Sequence, residues 1–130
     1  MSYPHRSSLL KDVFRALLMT ALAVALVVAP RVVFAHAVLV QSSPAEGATV
    51  TGPDFPVTLK FNSRVDGSRS TLLLATADGQ SKPLSISPQS VPDTLTANAS
   101  GLVAGKYAIR WQVLAVDGHI TRGQIPFIVK

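Results

Sequence analysis

From Lys106 to Val113 the chain alternates strictly: Tyr107, Ile109, Trp111 and Val113 fall on one face, and Lys106, Arg110 and Gln112 on the other. Successive side chains of an extended strand point to opposite faces, so this two-residue period predicts a half-buried β-strand. Val57, Leu59 and Phe61 alternate with Thr58, Lys60 and Asn62 in the same way, and Ile125, Phe127 and Val129 repeat the pattern near the carboxyl end. Pro126 falls inside that last run and predicts an edge position, because proline brings no N–H to a ladder. Residues 71–75 and 94–97, rich in Leu and Thr, are further strand candidates. Turn signals separate these runs: Ser43-Pro44, Gly52-Pro53, Asp78-Gly79, Ser87-Pro88 and Ala104-Gly105. Residues 80–93, with Pro83, Pro88 and Pro92, read as a loop with room for one short strand. No helical periodicity appears after residue 35, so no crossover helices are available. The expectation is an all-β antiparallel sandwich or barrel.

The first 35 residues are of a different kind. Met1 to Arg15 is polar and basic, and Ala16 to Ala29 then runs without a charge. A bilayer span needs about 20 apolar residues, so this run is short for a membrane helix and suits the apolar region of a secretory signal. Pro30 breaks it, and Val33-Phe34-Ala35 offers a cleavage site that makes His36 the new first residue. An uncleaved anchor is the alternative, favoured by Arg31 close to that site. The expected organisation is a leader over 1–35 and one domain over 36–130, exported and without a membrane span once cleaved.

Composition narrows the chemistry. The chain has no cysteine, which removes disulfides, thiolate metal sites and a cysteine nucleophile together. Arg6, Lys11, Arg15 and Arg31 against Asp12 put most of the formal charge of +5 in the leader. The cations that remain are scattered, not clustered on one face with stacking aromatics, so no nucleic-acid partner is expected. No glycine-rich phosphate loop and no nucleophile–base pair is visible.

Beyond the leader the chain holds two histidines and no methionine: His36 at the expected amino terminus, and His119 in Val116-Asp117-Gly118-His119. A terminal histidine can close a six-membered chelate through its α-amine and ring Nδ1. Amines of pKa about 7.7–8.0 and imidazoles of about 6.5 yield their protons to a metal near neutrality. Asp117 and His119 are two apart, so in an extended segment both point to one side. Together the three residues offer a nitrogen-rich set with one carboxylate oxygen, which suits tetragonal Cu(II) better than tetrahedral Zn(II). Asp-Gly is equally a common hairpin turn pair, and an exposed histidine is commonly an ordinary surface residue. Spacing alone leaves these readings open.

His36-Ala37-Val38-Leu39-Val40 followed by Ser43-Pro44-Ala45-Glu46-Gly47 resembles the start of mature CopC-family copper-resistance proteins. Leu102 to Trp111, then Asp117-Gly118-His119, Gly123 and Phe127-Ile128-Val129, resembles the closing half of that family. The resemblance implies a periplasmic Greek-key β-sandwich of immunoglobulin-like or cupredoxin-like type that binds one Cu(II) without catalysis. It implies His36, Asp117 and His119 as the metal ligands and an inner-membrane CopD-type protein as partner. The glutamate that lies near copper in some relatives is Ser63 here, and the methionine-rich Cu(I) site of others has no counterpart. The remaining readings are a copper-dependent oxidative enzyme with a terminal-histidine site and a metal-free interaction sandwich.

Overall fold

The structure, a computed structural model, describes residues 6–28 and 36–130. It divides into two compact units, one holding a single helix and the other eight strands. The helix, α1 (Arg6–Val28), contains all but the last residue of the uncharged run. Among the described residues no helix is long and apolar enough to cross a membrane. Pro30 and the expected cleavage site lie outside the described residues.

The strands are β1 (Leu39–Ser43), β2 (Thr49–Val50), β3 (Phe55–Phe61), β4 (Val65–Thr76), β5 (Ser81–Leu84), β6 (Thr94–Ala99), β7 (Gly105–Ala115) and β8 (Ile120–Val129). They form a three-stranded sheet in the order β1-β3-β6 and a five-stranded sheet in the order β2-β8-β7-β4-β5. The chain changes sheet on either side of β2, between β3 and β4, and on either side of β6, as expected of a Greek-key sandwich. Every pairing is antiparallel except β2 with β8, which is parallel.

The alternation read from the sequence is the alternation of burial. Val57, Leu59 and Phe61 of β3 face inward beside Leu95, Ala97 and Ala99 of β6. Opposite them lie Leu72 and Leu74 of β4, Ile109 and Val113 of β7, and Ile125, Phe127 and Val129 of β8. Phe61 meets Trp111 edge-on, with ring centroids 5.3 Å apart, and so ties the two sheets together. Trp111 lies over Gly123, its cross-strand partner. A Cβ on Gly123 would sit 2.4 Å from the indole Cζ2, so only glycine leaves the ring this place.

Pro126 is near an edge in the sense that matters to its missing N–H. Its carbonyl accepts from Gly47 N, and Ile128 N, two residues on along the same side, donates to Ala48 O. The prolyl nitrogen therefore faces the side on which β8 carries only the two-residue β2. Residues 80–93 hold β5 and one isolated bridge, Ile86 to Ala97. Two features exceed the sequence expectation. β1 and β2 are strands, and β4 begins at Val65, ahead of the predicted residue 71. Its ladder with β7 shifts between Asp66 and Thr71. There Asp66 Oδ1 accepts from Ser68 N and Arg69 N, which folds the chain locally in place of regular pairing.

Candidate metal centre

The site lies at one end of the sandwich, where the segment leading into β1 meets the loop between β7 and β8. Leu114 and Ile120 form the last cross-strand pair of that hairpin. The loop closes through Ala115 N to His119 O at 2.8 Å and Gly118 N to Ala115 O at 2.9 Å. Gly118 has φ of 86°, a left-handed conformation that L side chains adopt at a cost. The reversal lets Asp117 fold back: its Oδ1 accepts the His119 backbone N–H at 3.0 Å.

Asp117 and His119 therefore share a side because of a turn. The extended spacing expected from the sequence is not what brings them together. Asp117 Oδ2 lies 3.1 Å from His119 Nδ1 and 3.8 Å from His36 Nδ1. The two imidazole rings stand 4.8 Å apart between centroids, tilted by 55°. One ligand atom from each of the three residues can be chosen so that all lie within 4.8 Å of one another. Donors at about 2.0–2.1 Å from one ion can be at most about 4 Å apart, so side-chain rotation of under about 1 Å closes the set.

The rings are half exposed, whereas the Asp117 side chain is only 15% exposed. Its Oδ2 is buried and faces the Nδ1 atoms of both rings, the nearer at 3.1 Å. A buried carboxylate oxygen is costly unless a hydrogen-bond donor or a cation meets it. The His119 backbone N–H holds the Asp117 carboxyl below its ordinary value of 3.8. Burial pushes the other way, while the His119 ring and the charges of both imidazoles lower it further. The group is thus an anion at neutral pH, placed between two nitrogen donors.

Residues without donor chemistry hold this geometry. Ala37 is buried in the core at 2% exposure, and its carbonyl accepts from Thr121 Oγ1 at 2.9 Å. Val38 N donates to Asn62 Oδ1 at 2.8 Å, and Asn62 N donates to Val38 O at 2.9 Å. Val116 N donates to Arg64 O at 3.3 Å, which fastens the β3–β4 corner to the β7–β8 loop. Ser63 sits in that corner with its Oγ buried and unpartnered among the described residues. Asn62 and Thr121 escaped the sequence reading. Their partners lie 24 and 84 positions away, and no local pattern encodes that.

The sequence matches the CopC domain family over residues 39–130. The chain belongs to the CopC family. CopC proteins are periplasmic copper-binding resistance proteins, not enzymes. Copper resistance protein C of Xanthomonas campestris pv. juglandis is 30% identical over 125 residues, covering 90% of this chain and 98% of that protein. Protein YobA of Escherichia coli K12 is 32% identical over 101 residues, 75% of this chain and 82% of that one. The crystal structure of CopC from Methylosinus trichosporium OB3b superposes with a TM-score of 0.67 at 31% identity, over 73% of this chain and 94% of that one. The sandwich read from the alternation is thus the CopC fold. The family match begins three residues after His36, so the CopC assignment does not depend on that residue.

Proposed function

We propose that the protein is exported, loses residues 1–35, and holds one Cu(II) ion in the periplasm as a carrier or buffer. The ligands are the α-amine and imidazole of His36, the carboxylate of Asp117 and the imidazole of His119. The observation that supports this reading is the buried Asp117 Oδ2, which lies within 3.8 Å of both ring nitrogens. Nitrogen with one carboxylate oxygen is a donor set for Cu(II), the most tightly held of the common divalent ions. Methionine occurs only at positions 1 and 19 and cysteine nowhere, so the domain brings no soft ligands for Cu(I). Four protein donors leave little room for a substrate, which suits holding over reacting. A CopD-type protein of the inner membrane is the receiver proposed for the ion.

Intact-mass analysis of the exported protein, with and without Cu(II), tests both halves of the proposal. The expected result is a chain beginning at His36 that gains the mass of one copper. His36→Ala and His119→Ala should each lose most of the affinity. If both variants bind as tightly as the parent, the ligand assignment is wrong. Adding one glycine before His36 keeps both rings and displaces the amine, so it should also weaken binding.

A further inference from the structure

The proposed centre joins two parts of the molecule with little covalent reason to stay together. His36 belongs to the segment leading into β1, an edge strand paired only with β3. Asp117 and His119 belong to a hairpin of the other sheet. The three residues from His36 to Val38 precede the first residue of the strand. A free end of this kind frays unless something holds it.

Three contacts hold it. The Ala37 side chain is packed in the core cluster. The Ala37 carbonyl accepts from Thr121 Oγ1, on the strand that leaves the metal-side loop. Val38 is engaged on both its N–H and its C=O by Asn62, one position beyond the Leu39–Phe61 pair that opens the β1–β3 ladder. Thr121 joins the segment to the five-stranded sheet, and Asn62 joins it to the three-stranded sheet. Both side-chain oxygens are engaged by the backbone of the segment, Asn62 Oδ1 by the Val38 N–H and Thr121 Oγ1 by the Ala37 carbonyl. These contacts set where residue 36 begins, whatever binds there.

We propose that Asn62 and Thr121 are positioning residues: together they latch the His36–Val38 segment against the β7–β8 loop, so that the two halves of the copper site are assembled by the fold. This rests on the ligand set proposed above. The latch makes the rate of copper loss depend on how often the segment opens, because release of the His36 end removes its donors together. A hydrogen bond with a net value of about 1 kcal/mol corresponds to about a fivefold change in an equilibrium. The Asn62 contact is solvent-exposed and belongs at the weaker end, about threefold; the part-buried Thr121 contact should reach about fivefold.

The test uses the exported protein and two independent variants, Asn62→Leu and Thr121→Val, which delete the side-chain partners at similar volume. Thr121→Ser, which keeps the hydroxyl, is the rescue. Hydrogen exchange at the Val38 amide, measured without metal, reads the latch directly. Asn62→Leu should speed that exchange while the β7–β8 ladder exchanges as before. With Cu(II), each deletion should raise the dissociation rate three- to fivefold, and Thr121→Ser should stay at the parent value. The Cu(II) electron paramagnetic resonance spectrum should show a second species with fewer nitrogen donors in the deletion variants. Faster Val38 exchange with an unchanged copper off-rate and spectrum would overturn the proposal, as would parent-like exchange in Asn62→Leu. A parent protein that fails to bind copper, or a His36→Ala variant that binds normally, would instead strike the ligand assignment, and the exchange measurement would still report on the latch.

Discussion

Gly118 lets the function be tested through the backbone alone. Its φ of 86° lies in the left-handed region, and a Cβ added there meets nothing within 4 Å. Gly118→Ala therefore introduces no clash, and its cost is conformational, about 1–2 kcal/mol for an L residue in that region. The loop can absorb this in two ways. If the turn is kept, the strain appears as lost stability, and the melting temperature of a domain this size falls by about 4–8 °C per kcal/mol. If the turn relaxes, the His119 N–H leaves Asp117 Oδ1 and stability is largely retained. Copper must then rebuild the turn, and binding weakens by about five- to thirtyfold for the same energy. The two losses share one total, so melting of the metal-free protein and a competitive Cu(II) titration should be read together. Gly118→Asn should lose less on the combined scale, since asparagine visits the left-handed region more readily. Parent values for both melting temperature and copper affinity in Gly118→Ala would refute the reasoning.

Other consequences follow from the same coordinates. Gly123→Ala places a methyl 2.4 Å from Trp111 Cζ2 and should cost about 1–3 kcal/mol by urea denaturation; adding Trp111→Phe should make the pair less damaging than the two single costs combined, and simple additivity would speak against the clash. Asp117 has a depressed carboxyl value in the folded protein, so its ionised form stabilises the metal-free fold above about pH 4, and that contribution fades as pH falls through the folded value. The stability gap between parent and Asp117→Asn should narrow on acidification below about pH 4, and a gap that stays constant there would contradict the assigned hydrogen bond. Under a mild reductant that converts Cu(II) to Cu(I), the exported protein should lose its copper, because no methionine follows residue 19 and no cysteine exists; retention seen by native mass spectrometry would show that other ligands hold Cu(I).

What the sequence made legible was whatever repeats every two residues. β3, β7 and β8 alternate cleanly because each has one face in the core and one in water, and burial then writes itself into the order of side chains. β1 shows no clean alternation; its burial runs from intermediate to exposed and back, as an edge strand allows. β2 has two residues, too few to show any period. The start of β4 was hidden because Asp66, Gly67 and Ser68 are turn-formers, and there they do form a local turn within the strand. At the candidate site, the three proposed donors could be singled out because histidine is scarce after residue 35. Their mutual distance could not be read, since it depends on Asn62, Thr121 and Arg64 O, contacts made across the fold.

This division explains how a turn that is ordinary by sequence can also be a candidate metal site. Asp117-Gly118 serves as a hairpin reversal, and that structural role turns Asp117 back on His119. What distinguishes it from other Asp-Gly reversals in the chain is what lies across from it. At Asp78-Gly79 one oxygen, Oδ1, accepts from the Thr76 hydroxyl and the Gln80 N–H, and the residue is exposed. At Asp117 one oxygen is used the same way, and the other is buried, facing two imidazoles. Burying an anionic oxygen there has a free-energy cost that the turn alone does not require. A bound cation offsets it, and the ion should then stabilise the folded state by mass action. That stabilisation should be felt in β1, an edge strand paired only with β3.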